Sequence, residues 1–527
     1  MLLDRTVNKN ADVQSSPTLM PPTNRRRAGI LNLASVLLDQ AVSLTASVLI
    51  TPVIVNSLGT VMYGFWQFAQ RFIGQIAMLD GRGSESLKYK LARSNSLDVP
   101  AERQKAVGAA VFTLGVFLLV PIGLAAAVIA NLEHIPAATA IDRSTGAIVL
   151  IILCFTMVVG SLSTILEAVL RGMNQGYRRM GLRASIVIAG TSLNALVLMN
   201  GGGVISLAKV TALTALVTLV SLVLLVRRTF TWFRPTWPTL AEMPSVIRQS
   251  CGFTLWGFVG TAVATGDMLV IGFLLSSEEV TNYSLTKFLP QYAPVLAYNF
   301  YSAMLPGFAG KIGEGRVDQA FEIHRKAGSL GRSIGTIVCC CLLVVNEWFV
   351  SIWIGNGSYL GFLVNYLICI LTYQTIALNQ ENAFLNILLE VRSRIIDGGV
   401  SLGMLLVMGL VLTPSFGVAG LCMSVVVSRI FLMARTPLVL RRATGLKSPG
   451  RVQWNASQYS PLLIITITAV IVFALPRAFT TGTVTTALAL CVTVVFSALL
   501  SVALVLESGT RRLILNRIGS KLGGFGT

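Results

Sequence analysis

Charge is what this sequence has least of. Asp, Glu, Lys and Arg make up only 12% of it, well below the roughly 25% of a soluble domain. A globular core of this size would have too little charged surface to cover it, so a soluble protein is excluded. Histidine is almost missing: His134 and His324 fall in two segments read as separate loops, and no metal constellation can be built from them. The eight cysteines form no CxxC pair and lie in apolar runs. They read as small buried residues, not as bridges or a zinc site. No G-x-x-x-x-G-K-[ST] phosphate loop occurs, so the chain is no ATPase. Long loops are missing too. The longest, 227–249 and about 131–145, cannot hold a soluble catalytic domain. No cofactor, metal or nucleic-acid partner is expected.

Apolar residues fill the space instead. The set AVILMFWYC makes up 54% of 527 residues, and mean hydropathy is +0.74. With roughly 20 apolar residues per span, that suits about twelve to fourteen membrane helices. The run after the polar residues 1–28 is too long for a signal-peptide core and reads as an uncleaved first span. The net charge of +19 would suggest nucleic acid in a soluble chain. Here it sits in short loops, as the positive-inside rule requires. Alternating spans from a cytoplasmic N-terminus leave only Arg143, Lys209, Lys287 and Arg477 outside and Arg71 mid-span. Every other Lys or Arg falls to a cytoplasmic segment or span end.

The expected fold is an all-α polytopic membrane protein of about fourteen transmembrane helices, two pseudo-symmetric six-helix lobes plus two extra C-terminal helices. The expected boundaries are a cytoplasmic tail 1–28, a first lobe 29–226, a linker 227–249 and a second lobe 250–440. A cytoplasmic loop 441–458, two further spans within 459–506 and a cytoplasmic tail 507–527 complete it. Twelve or thirteen spans with a re-entrant segment is the alternative. A loop-poor chain of this kind reads as a transporter.

An internal repeat supports two lobes. Residues 49–73 align with 269–293, matching Leu49 to Leu269, Tyr63 to Tyr283 and Phe68 to Phe288, and setting Arg71 on Gln291. Six spans separate the copies. An even number preserves orientation, so the repeats are parallel, about an axis along the membrane normal.

The turn Leu58-Gly59, Tyr63-Gly64 and Trp66, then Leu79-Asp80-Gly81 and Gly83, resembles the polysaccharide (O-antigen type) flippases of the multidrug/oligosaccharidyl-lipid/polysaccharide exporter superfamily. Asp267 and Tyr283-Ser284-Leu285 carry the match in the second half. The resemblance implies lobes facing a central cavity and alternating access. It also implies a polyprenyl-pyrophosphate-linked oligosaccharide as cargo, for export of O-antigen or exopolysaccharide across a bacterial inner membrane. Partners implied with it are membrane lipids and the polysaccharide polymerase machinery.

Polar residues inside spans are costly and mark function. The second helix sets Trp66, Gln67, Gln70 and Gly74 within about 60° of Tyr63, with Arg71 on the shoulder. The eighth sets Tyr283, Gln291, Tyr298 and Tyr301 within about 40° of Lys287. These stripes are the candidate cavity wall. Aromatic faces stack on pyranose rings, amides bond hydroxyls, and a cation holds pyrophosphate. An interfacial Tyr belt with a snorkelling Lys287 is the bland alternative. Pro290 and Pro294 are either a static kink or a bend point of the eighth helix.

Asp39, Asp267 and Glu381 are the candidates for ion coupling. Asp39 reads either as a pair for Arg71 or another cation, or as a ligand for H⁺ or Na⁺. Asp267 poses the same choice. Gln380, Glu381 and Asn382 either line a cytoplasmic gate or cap a helix. Glu167 and Arg171 read as a surface pair. A drug or cation antiporter of the same superfamily is the competing function. It needs acidic cavity residues to dominate, which Arg71 and Lys287 oppose. A membrane glycosyl enzyme needs a carboxylate constellation in a sizeable loop, and none is visible. The chain therefore reads as a transporter, not an enzyme.

Overall fold

A computed structural model describes residues 22–506 except 95–99, 174, 180, 240–242, 303, 389–391, 446–450 and 475–482. The tail 507–527, most of the tail 1–28 and Arg477 lie outside the described residues. Everything regular in it is helical. The first lobe holds α1 (Pro22–Ile76), α2 (Gly83–Ser94), α3 (Pro100–Phe117), α4 (Leu119–Ala130), α5 (Arg143–Gly172), α6 (Leu182–Met199) and α7 (Val204–Thr229). The second holds α8 (Met243–Thr265), α9 (Asp267–Leu274), α10 (Ser277–Thr286), α11 (Ala293–Ser302), α12 (Leu305–Gly313), α13 (Val317–Trp353), α14 (Phe362–Ile387) and α15 (Arg392–Thr444). Then come α16 (Arg451–Ala474) and α17 (Thr483–Leu500).

Two of these are hairpins. Gly59 in α1 has φ 77° and ψ 167°, and Gly417 in α15 has φ 56° and ψ −140°. Only glycine takes such values without strain. The reversals show in the contacts. Ser401 Oγ donates to the Ser428 carbonyl at 3.0 Å, although a straight helix would hold them roughly 40 Å apart. Tyr63 similarly reaches back to Thr51. Among the described residues nine helices are long and apolar enough to cross a membrane, ten when the bent pair α8–α9 counts as one span. With each hairpin counted as two passes, and with the broken run α10–α12 and the apolar part of α16 added, the path makes about fourteen passes. We call the face where α1 starts the near face and the face at Gly59 the far face.

Three expected spans differ from those observed. The second, expected over 63–87, stops near Leu79, because Gly81 (φ 84°) and Arg82 (φ 47°) turn the chain into the polar α2. The Arg82 amide donates to Asp80 Oδ1 at 2.9 Å. The seventh bends by 70° at Gly266. The eighth breaks: Pro290 cannot donate to the helix ladder, and a 3-10 turn over Pro290–Tyr292 links α10 to α11. Pro294 then sits in the first turn of α11, where its missing N–H costs nothing.

The largest core cluster joins the lobes, packing Phe65, Phe68 and Leu150 with Met268, Ile271 and Val280, and each lobe also has a cluster of its own. Leu87, Leu91, Val107, Leu170 and Val226 pack α2, α3, α5 and α7 together. A second cluster joins α13, α14 and α15 to α16 and α17 through Cys339, Cys369, Tyr373, Met433, Ile464 and Val505. Helices α16 and α17 therefore dock on the second lobe. The Tyr373 hydroxyl donates to the Gln458 carbonyl at 2.6 Å. Their outer faces, with Val470 and Phe473 exposed, suit lipid.

Candidate functional site

The lobes meet tightly at the far face. A Cβ on Gly64 would overlap the Ser277 carbonyl, and one on Gly272 would overlap the Phe68 ring. Thr281 Oγ1 donates to the Thr60 carbonyl. Phe68 and Phe273 meet edge to face, with centroids 5.2 Å apart. The motif glycine Gly64 is thus where one backbone presses on another. The α1 second arm also meets α8. Gln75 Nε2 donates to the Phe258 carbonyl at 3.1 Å, and Arg82 packs on Gly257.

Below this seam the two polar stripes converge. Arg71 Nη2 donates to Gln291 Oε1 at 3.2 Å, across 220 residues. These are the two positions that the internal repeat aligns. Gln70 is exposed, while Gln67 and Arg71 are half-buried. Gln67 Nε2 donates to the Tyr63 hydroxyl at 2.7 Å.

The rest of the expected wall is elsewhere. Tyr63, Trp66, Tyr283 and Tyr301 are buried by packing, so none offers a ring face to a cargo in this conformation. Tyr298 is exposed. Lys287, expected as a cavity cation, is ion-paired to Asp267 inside the second lobe. The Tyr283 hydroxyl donates to the same carboxylate at 2.6 Å. Asp267 in turn accepts from the Met268 amide at 3.0 Å, at the first turn of α9. An anion there suits the amides that the helix break leaves free.

Arg429 is the counterpart at the end of α8. Sequence reasoning placed it at a cytoplasmic span end; the structure buries it mid-lobe at 3% exposure. Its Nη2 donates to the carbonyls of Val263 and Ala264, both at 2.9 Å. Its Nη1 donates to the Leu371 carbonyl at 3.1 Å and to Thr375 Oγ1 at 2.7 Å. The bend between α8 and α9 thus persists because opposite charges satisfy its two loose ends.

Glu381 and His324 also differ from expectation. His324 lies not in a loop but within α13, which starts at Val317, and it is fully buried. The Tyr301 hydroxyl meets His324 Nδ1 at 2.5 Å, and His324 Nε2 meets Glu381 Oε2 at 3.0 Å. Arg332 Nη1 bonds Glu381 Oε1 at 3.2 Å. Glu381 is therefore buried within α14 and does not cap its end. Asn382 borders a separate cavity of about 80 Å³ between α8, α14 and α15.

The large cavity opens on the near side. It measures about 960 Å³. The first arm of α1 supplies Asp39, Gln40 and Ser43, and the Pro290–Tyr292 turn with α11 supplies Tyr292, Val295 and Leu296. Arg171, Arg179 and Arg183 form its basic wall. Among the described residues, none of its lining comes from α16 or α17. Glu167 and Arg171 do pair, at 2.9 Å, but not as a mere surface pair. Arg179 Nη1 lies 2.6 Å from Glu167 and its Nη2 lies 3.9 Å from Asp39. So Asp39 pairs with Arg179, not Arg71. The sequence signal was present: Arg178-Arg179 and Arg183 flank a span end, but the positive-inside rule explained them before cavity placement could be asked. No cluster of metal-binding side chains occurs among the described residues.

This architecture is known. A structure described as lipid II flippase MurJ in an inward closed conformation superposes with a TM-score of 0.66 at 13% identity, covering 90% of this chain and 98% of that one. A mutant of the MATE transporter VcmN from Vibrio cholerae gives 0.55 at 12% identity over 80% and 95%. A structure described as a MOP superfamily transporter from Pyrococcus furiosus gives 0.54 at 14% identity over 81% and 97%. These likenesses establish the fold. No curated protein sequence matches the chain. The family model for polysaccharide biosynthesis proteins matches residues 31–310. With that match over more than half its length, and with the fold of the flippases and exporters, the chain belongs to the polysaccharide biosynthesis protein family.

Proposed function

We propose that the protein flips a polyprenyl-diphosphate-linked oligosaccharide from the cytoplasmic to the outer leaflet of a bacterial inner membrane by alternating access. The near face is then cytoplasmic. The observation that carries this reading is the near-side cavity: three arginines and Asp39 on one wall, apolar surface over much of the rest with Leu37, Val295 and Leu296 exposed where α1 meets α11, and a closed far face. An oligosaccharide is too polar to cross lipid, and its prenyl tail is too apolar to leave it. A cavity with a charged wall and an apolar side holds both. Three arginines against Asp39 and Glu167 favour an anionic cargo over a drug cation. No hydrolysis is needed in the chain itself, so an ion gradient or trapping of product outside drives the cycle. Proteoliposomes loaded with lipid-linked oligosaccharide should show outer-leaflet labelling that depends on the protein; no transfer of any lipid-linked sugar would reject the reading.

Orientation is tested separately. Reporter fusions at Arg228 and Gly315 should report the cytoplasm, and fusions at Gly202 and Gly357 the outer side. The opposite pattern would invert the direction of export.

Arg71 and Lys287 should part company. Arg71→Gln removes a cation that bonds the neutral Gln291, so export should fall while protein accumulates normally. Lys287→Gln takes the counter-charge from a buried Asp267, which costs about 3–5 kcal/mol. It should lower the thermal unfolding midpoint and the amount of folded protein. Equal stability of the two variants would contradict this division.

A further inference from the structure

Asp39 is an anion held in a place built for a different one. It is 6% exposed, and neither carboxylate oxygen has a hydrogen-bond partner among the described residues. Buried carboxylates normally accept several hydrogen bonds. Asp39 instead rests 3.9 Å from Arg179 Nη2, with Arg171 and Arg183 also acting on it electrostatically. The three arginines come from three elements: the end of α5, the turn Gly176–Arg179 and the start of α6. All three line the large cavity. Glu167 takes up Arg171 and Arg179 from behind, at 2.9 and 2.6 Å. Two carboxylates thus face three guanidiniums, and the excess charge is positive on the cavity side.

We propose that Arg171, Arg179 and Arg183 are the docking site for the diphosphate of the carrier lipid, and that Asp39 occupies it as an internal anion until cargo replaces it. This rests on the flippase reading. A diphosphate carries several oxygens that can take guanidinium donors in pairs, whereas Asp39 is too far from Arg179 for one hydrogen bond. The exchange also has a mechanical consequence. Asp39 is on the first arm of α1, beside Gln40, whose side chain accepts from Asn299 across the opening to α11. An anion that displaces Asp39 from Arg179 removes one of the ties holding that arm against the cavity mouth. Binding of the head and freeing of α1 become a single event.

Binding and transport give different signatures for this site. Purified protein in uncharged nanodiscs is titrated with a sugar-free polyprenyl diphosphate, with inorganic diphosphate, and with phosphatidylglycerol. Arg183→Gln, at an exposed position outside the ion pairs described above, should weaken the polyprenyl diphosphate roughly tenfold or more. Arg179→Gln should do so too where it folds. Asp39→Asn should act the other way, tightening binding several-fold while slowing turnover, because the internal anion no longer competes for the arginines or expels the product. Inorganic diphosphate should compete, and phosphatidylglycerol should not. Unchanged binding in both Arg183→Gln and Asp39→Asn overturns the proposal. So does equal competition by phosphatidylglycerol, which would make the cluster a general headgroup contact. Should the wild type bind the diphosphate in this pattern yet flip no lipid-linked sugar, the site stands and the transport reading fails.

Discussion

Gly64→Val should abolish export while leaving the protein folded in the membrane. The side chain added at Gly64 would overlap the Ser277 carbonyl and approach Thr281 Oγ1. Both obstacles belong to the opposite lobe, and the nearer one is backbone, so no rotamer change relieves the clash. Overpacking of this kind costs about 3 kcal/mol or more, over a hundredfold in the population of the closed seam. The clusters within each lobe are untouched, so folding should survive even though the shared cluster at the seam must part. What is lost is the state with the far face shut, and with it the near-side cavity as an isolated compartment. Gly59→Ala is the control. Nothing lies within 4 Å of a Cβ there, but φ is 77° and ψ 167°, so the cost is backbone strain of about 1–3 kcal/mol without a blocked seam. It should lower stability and spare the cycle. Ser277→Cys provides the readout, in a background lacking Cys251 and Cys491. A membrane-impermeant thiol reagent should label it faster in the Gly64→Val protein. Normal export by Gly64→Val would show that the far seam need not close.

The contrast between these two glycines shows what the sequence made legible. Apolar run length and the alternation of basic loops located the passes, because bilayer thickness and charge transfer act on local sequence. The repeat aligns Arg71 with Gln291, and the structure joins the two by a hydrogen bond. What stayed hidden depends on partners distant in sequence. Lys287 and Asp267 look like two intramembrane charges until a broken helix brings them together. Arg429 could pass for a span-end cation because nothing local reveals carbonyls freed at Val263 and Ala264. The cavity arginines were visible as residues, but their role needed the first arm of α1 laid against them. Periodicity placed Tyr63, Tyr283 and Tyr301 on polar stripes. It could not tell a face that lines a cavity from one that another helix covers.

Glu381→Gln should be the most destabilising single change in the second lobe. Glu381 is 1% exposed and is shared by Arg332 and His324, which are themselves buried. Neutralising it removes the carboxylate from a buried guanidinium, a loss of about 3–5 kcal/mol. The unfolding midpoint in detergent should fall sharply, and little protein should accumulate. The size of the effect alone would not separate a structural pair from an ion-coupling carboxylate, so a second variant is needed. In Arg332→Met with Glu381→Gln, both charges are gone, and a buried pair replaced by apolar or neutral groups is often neutral in stability. The double variant should therefore regain most of what the single one lost, a coupling that a double-mutant cycle measures directly. Its export should recover with its stability if Glu381 only holds α14 to α13. A coupling carboxylate behaves otherwise. Then Glu381→Gln would fold nearly as well as wild type, because the group exchanges its proton or cation in every cycle, and it would lose the response of export to an imposed ion gradient. Stability that falls and returns with Arg332, with gradient response intact in the rescued protein, would remove Glu381 from the coupling candidates and leave the Tyr301–His324–Glu381–Arg332 cluster as the clamp between α11, α13 and α14.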